Sequence, residues 1–127
     1  MEFVRTDAAP TPAGHYSQAV VANGFVFVAG ILPIEPGGGE RRIPDGIDAQ
    51  ARLALGNLRA ILEAAGSALD RLVSVQIFIP SMDAWPAINA AYAETLGDHR
   101  PARTVIPCGA LHYGALVEVN AIALAPG

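Results

Sequence analysis

Two segments near the carboxyl terminus decide how this chain folds: RPARTV at residues 100–105 and VEVNAIA at residues 117–123. Each contains a predicted β-strand, and each strand carries one full charge among apolar residues, Arg103 in the first and Glu118 in the second. A lone guanidinium and a lone carboxylate are costly to bury in a small apolar domain unless they are paired or used. The pattern therefore indicates either a structural ion pair or a site for a small molecule that carries a carboxylate.

The chemistry of the two side chains fits such a site. Arg103, on one strand face with Val105, can hold a carboxylate through two parallel hydrogen bonds, or it can be a structural partner of Glu118 or an edge residue that reaches solvent. Glu118, on one face with Asn120 and Ile122, suits a general acid/base whose pKa is raised by desolvation, or it is a solvated strand residue. The site hypothesis requires both charges to face a shared hollow where protomers meet. Charges locked together, or pointing to opposite sides of the sheet, would rule it out.

Length and composition limit the class of protein. The 127 residues predict one domain, residues 1–127, that buries about two thirds of its unfolded surface. A hydrophobic fraction of 52% with a charged fraction of 16% is apolar for a small monomer, which predicts burial between the subunits of a homo-oligomer. No run approaches the ~20 apolar residues of a membrane span. The first residues lack a secretion signal and Cys108 is the one cysteine, so we expect a cytoplasmic protein.

The charged residues disfavour several function classes. The net charge of −4 and the lack of a basic cluster argue against a nucleic-acid partner. All eight basic residues are arginine, which excludes a mechanism that needs a Schiff-base lysine. The three histidines lie far apart and show no metal-ligand spacing. We therefore predict neither a metal nor a cofactor.

Apolar periodicity predicts the order β-β-α-β-α-β-β, an α+β fold with helices on one face of a mixed sheet. Asn23-Gly24 between two apolar runs predicts a hairpin, residues 1–15 are expected to wrap the surface, and Pro33–Gly46 is a predicted loop. The other sheet face is predicted to be bare and apolar, and to be covered by a partner's sheet. The predicted strands are 18–22, 25–31, 71–79 (with Val73, Val75, Ile77 and Ile79 on one face), 103–106 and 116–124, and the helices run from Asp45 or Asp48 to Gly66 and from Ser81 or Asp83 to Gly97.

Three further positions are candidate contacts to a ligand. Tyr16 could stack on or hydrogen-bond a planar ligand, or it could be a core tyrosine. Gly30, followed by Ile31, allows a ligand to approach the backbone closely, or it marks a simple bulge. Asn89 interrupts the apolar second helix, where it either hydrogen-bonds across an interface or faces solvent.

These segments together resemble the RidA/YjgF family of enamine and imine deaminases. The Pro-Ala-Arg motif that ends at Arg103, followed fifteen residues later by Glu118, is specific to that family. The resemblance covers nearly the whole chain, from about Ala13 to Leu124. The matching stretches are GHYSQA (14–19), VAG (28–30), the helix 50–66, INAAY (88–92), RPART (100–104) and VEV (117–119).

The resemblance implies a chorismate-mutase-like fold and a homotrimer whose sheets form a central barrel, with three clefts between subunits. In active family members the Arg that matches Arg103 holds the substrate carboxylate, and the Glu that matches Glu118 orients and activates a water. The implied reaction hydrolyses a small 2-imino or enamine carboxylate to the 2-oxo acid and ammonia, without metal or cofactor. The residues implied to shape the cleft are Tyr16, Asn89 and the backbone at Gly30, Ile31 and Val105.

Some positions depart from the family pattern. Many deaminases of the family have Ser-Gly-Gln where Ala29-Gly30-Ile31 stands, and Cys where Val105 stands. The loss of polar side chains indicates a substrate that is larger or more apolar than 2-iminopropanoate.

Two alternatives follow from these departures. One is a non-catalytic trimer that binds a metabolite or a protein. The other is a deaminase for a larger acid of the aminoacrylate or aminomuconate type, since residues 106–109 and 115–118 are similar to the aminoacrylate branch. A ribonuclease activity, sometimes attributed to the family, is disfavoured by the acidic charge.

Overall fold

The computed structural model describes residues 1–37 and 39–127, so Gly38 of the predicted loop lies outside the described residues. The described residues form six strands, two helices and three short 3₁₀ turns. The strands are β1 (Glu2–Val4), β2 (Ala19–Ala22), β3 (Phe25–Ile31), β4 (Leu72–Ile79), β5 (Ala102–Pro107) and β6 (Glu118–Leu124). The helices are α1 (Ile47–Ala64) and α2 (Trp85–Leu96), and the turns span Leu69–Arg71, Met82–Ala84 and His112–Gly114.

The strands form one open sheet in the order β1-β2-β3-β6-β4-β5. Every neighbouring pair is antiparallel except β4 and β5, which are parallel and are joined through α2. Because a parallel pair needs a crossover that packs on a sheet face, α2 lies against the sheet rather than beside it. Two helices on a mixed sheet confirm the α+β prediction.

The hairpin between β2 and β3 turns at Asn23 and Gly24, whose φ angles are 51° and 81°. Positive φ at both central residues is the signature of the tight turn that matches strand twist. The Gly24 carbonyl also accepts a hydrogen bond from the Ala125 N–H at 2.9 Å, which ties the turn to the carboxyl terminus. The predicted hairpin is confirmed.

Both helices bury their apolar stripes against one face of the sheet. The apolar stripe of α1 is buried, and so is that of α2; the residues are Ala51, Leu55, Leu58 and Leu62 in α1 and Ile88, Ala91 and Tyr92 in α2. Across the helices, the Arg52 guanidinium of α1 donates to Glu94 of α2 at 2.8 Å, and this hydrogen bond lowers the pKa of the Glu94 carboxyl. The side chains that the sheet turns toward the helices include Val26, Val28, Val75, Ile77, Val119, Ala121 and Ala123.

The opposite face of the sheet is uncovered in the single chain, and it is apolar along β3 and the end of β6. Register pairs Phe25 with Leu124 and Phe27 with Ile122 on this face. Phe25, Phe27 and Leu124 expose 37%, 44% and 41% of their surface, which is high for strand residues in the middle of a sheet. We call this surface, defined by these four residues, the open face. This part of the face is bare and apolar as predicted, whereas the part over β4 and β5 is not apolar, because Gln76, Thr104 and Asn120 lie there.

The amino terminus differs from the prediction of a surface wrap. β1 pairs with β2 as an edge strand, and Val4 is 6% exposed. The following residues are anchored by Gln18, whose amide accepts from the Thr6 N–H at 2.8 Å and donates to the Thr6 and Pro10 carbonyls. A three-residue strand is too short to show a period-2 pattern, so its sequence gives no strand signal.

Two local predictions are wrong. Val73 is 40% exposed rather than buried with Val75, because a register shift between Leu72 and Ser74 turns its side chain away from the helices. Neither Asp45 nor Asp48 caps α1: Gly46, at φ 87°, stands at the cap position and no side chain bonds there.

Other end signals are confirmed. The Ser81 hydroxyl accepts from the Asp83 N–H at 3.2 Å and caps the turn that leads into α2, with Pro86 in the first turn of that helix. Gly66, at φ 79°, follows the end of α1. Among the described residues, no helix combines the length and the apolar character needed to cross a bilayer.

Candidate functional site

Arg103 lies on the helix side of the sheet edge. β5 is the last strand, and its parallel register places Arg103 beside Val75 and Val105 beside Ile77. Because Val75 and Ile77 are buried under the helices, the half-buried side chains of Arg103 and Val105 share their face. The sequence correctly placed Arg103 and Val105 on one face.

Helix α2 supplies three contacts to the Arg103 guanidinium. Its Nη1 donates to the Asn89 Oδ1 at 2.9 Å. The guanidinium carbon lies 4.7 Å from the ring centre of Tyr92 and 5.9 Å from that of Trp85. An arginine has five N–H donors, and Asn89 is its one hydrogen-bond partner among the described residues. The group is therefore oriented, yet it keeps donors for a ligand.

A hollow of about 440 Å³ opens beside this guanidinium, and we call it the Arg103 pocket. Tyr92 forms one wall; its buried hydroxyl has no hydrogen-bond partner among the described residues. Burial raises the pKa of Tyr92, while the positive charge of Arg103 acts in the opposite direction. The residues that line the Arg103 pocket are Asn89, Tyr92, Ala93, Leu96, Gly97, His99, Arg100, Pro101 and Arg103.

Glu118 begins β6 on the other side of the sheet. Register pairs it with Phe78, and Asn120 and Ile122 follow on the same face, while Val119, Ala121 and Ala123 are buried on the helix side. The predicted alternation of β6 is confirmed. Glu118 forms no ion pair and no hydrogen bond with side chains across the described ranges, so the suggested structural ion pair with Arg103 is absent from the single chain.

A second hollow, of about 300 Å³, lies beside Glu118, and we call it the Glu118 depression. Its lining residues are Tyr16, Ala29, Gly30, Leu32, His112 and Glu118. Two predicted site residues, Tyr16 and Gly30, thus meet Glu118 here. The side chain of Ile31 does not: it is 5% exposed, pairs with Val119 and lines only a smaller neighbouring cavity of about 60 Å³.

Gly30 allows the Glu118 carboxylate to lie close against the backbone of β3. A Cβ atom on Gly30 would collide with the Glu118 Oε2. The register of β3 also shifts between Val28 and Ile31, so the backbone is irregular at this point. The sequence predicted a close approach at Gly30; in the chain itself the approaching group is a carboxylate.

The two charges point to opposite faces of one sheet. Arg103 lies under α2 on the helix side, and Glu118 lies on the side of the open face. Within a single chain, this opposite orientation rules out the predicted site in which both charges face one hollow. It holds two half-sites, one with Arg103, Asn89 and Val105 and one with Glu118, Tyr16 and Gly30. Only a site assembled from two chains can bring them together.

Sequence reasoning missed three residues around these half-sites. Trp85 lies four residues before Asn89 and Tyr92 three residues after it, so helical spacing could have placed both rings beside Asn89. His112 had no such signal, because the turn His112–Gly114 brings it to Glu118. Its ring stacks on Tyr113 at 3.7 Å, and Tyr113 adopts φ 61°. Among the described residues, no group of His, Cys, Asp or Glu is arranged to hold a metal.

Comparison with known proteins identifies the family of the chain. A family model described as endoribonuclease L-PSP matches residues 6–125. The chain belongs to this family, the RidA/YjgF family. A RutC family protein of Pyrococcus horikoshii is 40% identical over 122 residues, which are 96% of each chain.

Solved structures of the family show the same fold. Escherichia coli TdcF, solved with bound serine, superposes with a TM-score of 0.92 at 31% identity, over 99% of this chain and 100% of that one. RidA from an Antarctic Psychrobacter superposes with a TM-score of 0.92 at 31% identity, over 98% of this chain and 99% of that one. The fold class that the sequence predicted is that of these proteins.

Proposed function

We propose that this protein hydrolyses a small 2-imino or enamine carboxylate to the 2-oxo acid and ammonia. The observation that supports this is a pair of opposite charges, Arg103 and Glu118, each at the wall of a hollow and neither in an ion pair with the described residues. Asn89 and two aromatic rings already orient the cation. A cation positioned before binding loses little freedom when it takes up a carboxylate.

We infer that the site forms between the chains of a homotrimer. In a closed ring of identical chains, each contact joins two different surfaces. Here the Arg103 half-site of one chain would face the Glu118 half-site of the next, which removes the conflict between their two faces. The apolar open face, with Phe25, Phe27 and Leu124 exposed, would be buried at the centre of the ring. Three equivalent clefts would result.

The reaction needs one clamp and one proton carrier. Two parallel hydrogen bonds from Arg103 hold the substrate carboxylate, and the backbone at Val105 and Gly30 and the ring of Tyr16 shape the cleft. Water attacks the imine carbon while Glu118 accepts one of its protons. Glu118 returns that proton to the nitrogen, which gives a carbinolamine. The hydroxyl proton of the carbinolamine then passes through Glu118 to the nitrogen as the C–N bond breaks and the C=O bond forms, so ammonia leaves with both protons of the water.

The barrier that this machinery must lower is small. An imine carbon is already electrophilic, so water attack needs no further activation of the carbon by a metal or cofactor. Positioning by Arg103 and proton transfer by Glu118 supply on the order of a few kcal/mol, and each 1.36 kcal/mol is about tenfold in rate. TdcF with bound serine supports this assignment, because serine is a small molecule with a carboxylate.

The test measures release of 2-oxo acid from an imine that an amino acid oxidase generates in the assay. Arg103→Ala and Glu118→Ala should each lower kcat/KM by about 10²-fold or more. Arg59→Ala, which removes an exposed arginine of α1 that pairs with Glu63, is the matched control and should retain the rate. Unchanged turnover by both variants in folded protein would remove these residues from the mechanism.

Mixed assemblies test whether the cleft joins two chains. When Arg103→Ala and Glu118→Ala chains are unfolded together and refolded as equal mixtures, about a quarter of the clefts should receive both intact residues. We expect activity to return to about that fraction of the wild-type value. No recovery in mixed trimers would contradict a cleft shared between chains.

The same assays separate the alternatives. Binding of 2-oxo acids with no turnover of any imine would indicate a non-catalytic metabolite-binding trimer. Turnover confined to ring-opened acids of the aminomuconate type would indicate the larger-acid deaminase, and turnover confined to aminoacrylate would indicate a deaminase of the aminoacrylate type. We do not propose ribonuclease activity, since the net charge is −4 and the charge distribution offers no basic groove.

We also propose a cytoplasmic location. The chain's one cysteine, Cys108, is unpaired, and its thiol donates to the neighbouring Gly109 carbonyl at 3.2 Å. A partly exposed free thiol suits a reducing compartment. Fractionation of cells that express a tagged chain tests this, and recovery in a membrane-enclosed organelle would contradict it.

A further inference from the structure

A second arginine lines the Arg103 pocket. Arg100 precedes Arg103 by three residues, and three extended residues span at most about 10 Å. Both residues border the same hollow of about 440 Å³. Their Cα atoms are therefore at most about 10 Å apart on its wall, a span that two flexible side chains can close around one small molecule.

The charge of Arg100 is not neutralised within the pocket. No acidic residue is among the pocket's lining residues. Arg100 has no ion pair and no side-chain hydrogen bond with residues 1–37 or 39–127, whereas Arg52 of α1 is paired with both Asp48 and Glu94. His99 adds no negative charge either, because an imidazole is neutral or cationic. Its Nε2 lies 2.8 Å from the Leu72 carbonyl. The positive charges of the pocket can therefore bind more than one negative group.

The rest of the lining fits the carbon chain between two such groups. Ala93, Leu96 and Pro101 contribute apolar lining to the same pocket as the two arginines. A three-carbon imino acid held by Arg103 would leave this lining and Arg100 without a contact. A substrate with a further one or two methylene groups and a terminal carboxylate would use all of them.

We propose that Arg100 forms a second carboxylate subsite and that the chain prefers 2-imino dicarboxylic acids, the imines of acidic amino acids, over 2-imino monocarboxylic acids. This rests on the proposed deaminase function, in which Arg103 holds the carboxylate next to the imine carbon. Arg100 then holds the distal carboxylate, and Glu118 of the next chain acts on the carbon between them. The subsite sets specificity and takes no part in proton transfer.

The kinetic test compares imines generated from aspartate and glutamate with the imine generated from alanine. Wild-type kcat/KM should be higher for the dicarboxylic imines. Arg100→Ala should lower that value by about 10- to 100-fold for the dicarboxylic imines only, because a charged hydrogen bond to the distal group is lost. Arg59→Ala is the control for loss of one surface charge. Equal losses on all three imines would overturn the proposal.

Binding by the product acids tests the subsite without turnover. Calorimetry should show tighter binding of oxaloacetate or 2-oxoglutarate than of pyruvate, and Arg100→Ala should remove the difference while Arg59→Ala retains it. If no imine is turned over but this preference is present, the deaminase function fails and the subsite stands. If imines are turned over and the wild type binds all three acids alike, the subsite fails and the deaminase function stands.

Discussion

The two half-sites hold their charges in opposite ways. The Arg103 guanidinium is enclosed: Asn89 accepts one of its hydrogen bonds and the rings of Tyr92 and Trp85 lie within 6 Å of its carbon. The Glu118 carboxylate is left open, with a glycine beside it and no ion pair to the described residues. The cation is thus fixed in place before binding, whereas the carboxylate stays accessible to water.

The largest effect, a loss of both assembly and activity, should come from disrupting the open face, which the proposed trimer buries. Phe27→Glu places a carboxylate on the open face, where burial of an unpaired charge between chains is strongly unfavourable. We expect the assembly to dissociate and imine turnover to be lost, although Arg103 and Glu118 are both present. Light scattering coupled to size-exclusion chromatography measures the mass.

The control for this variant is Ala64→Glu, which adds the same charge at an exposed position of α1 and should keep the assembly. An active Phe27→Glu monomer would show that one chain suffices. It would also remove the distinction between two half-sites.

A smaller effect should follow from displacing the carboxylate without removing it. Gly30→Ala puts a methyl group where the Glu118 Oε2 lies, and the flexible end of that side chain can move aside. The free energy of unfolding should therefore change by less than about 1 kcal/mol, while kcat/KM falls by about 10- to 100-fold because the proton carrier is misplaced.

Gly56→Ala is the matched substitution, since a Cβ atom there meets nothing within 4 Å. In the interior of α1 it should stabilise the chain by about 0.5–1 kcal/mol with no loss of rate. Full activity in Gly30→Ala would mean that the position of Glu118 is not critical.

The smallest effect should come from substitutions of Tyr92, whose ring lies beside the Arg103 guanidinium. Tyr92→Leu removes the ring 4.7 Å from the guanidinium carbon, and we expect KM to rise by about twofold to tenfold. Tyr92→Phe keeps the ring and deletes the unpartnered buried hydroxyl, which should raise the free energy of unfolding by up to about 1 kcal/mol. A loss of stability in Tyr92→Phe would show that the hydroxyl is satisfied in the assembled protein.

The sequence predicted the features that depend on local signals. Asn23-Gly24 marks a hairpin, Gly66 ends a helix, and the alternation around Glu118 follows from the period of a strand. It also placed Val105 with Arg103 on one strand face. These signals depend only on neighbouring residues, so a single sequence is enough to detect them.

The features that the sequence did not predict depend on pairing between distant segments. The bulge that exposes Val73 and the short β1 exist only through their partner strands. The opposite orientation of Arg103 and Glu118 has the same origin. The sequence of each strand shows which of its residues share a face. Whether a residue of β5 and a residue of β6 lie on the same side of the sheet is fixed only by the register of both strands with β4.

The placement of Arg103 and Glu118 on opposite faces has a consequence for the living cell. If every active site needs two neighbouring chains, isolated chains at high dilution are inactive. Total activity then rises more steeply than the concentration of the chain. A modest drop in expression would then reduce flux disproportionately. A damaged chain would also disable centres that its intact neighbours help to form.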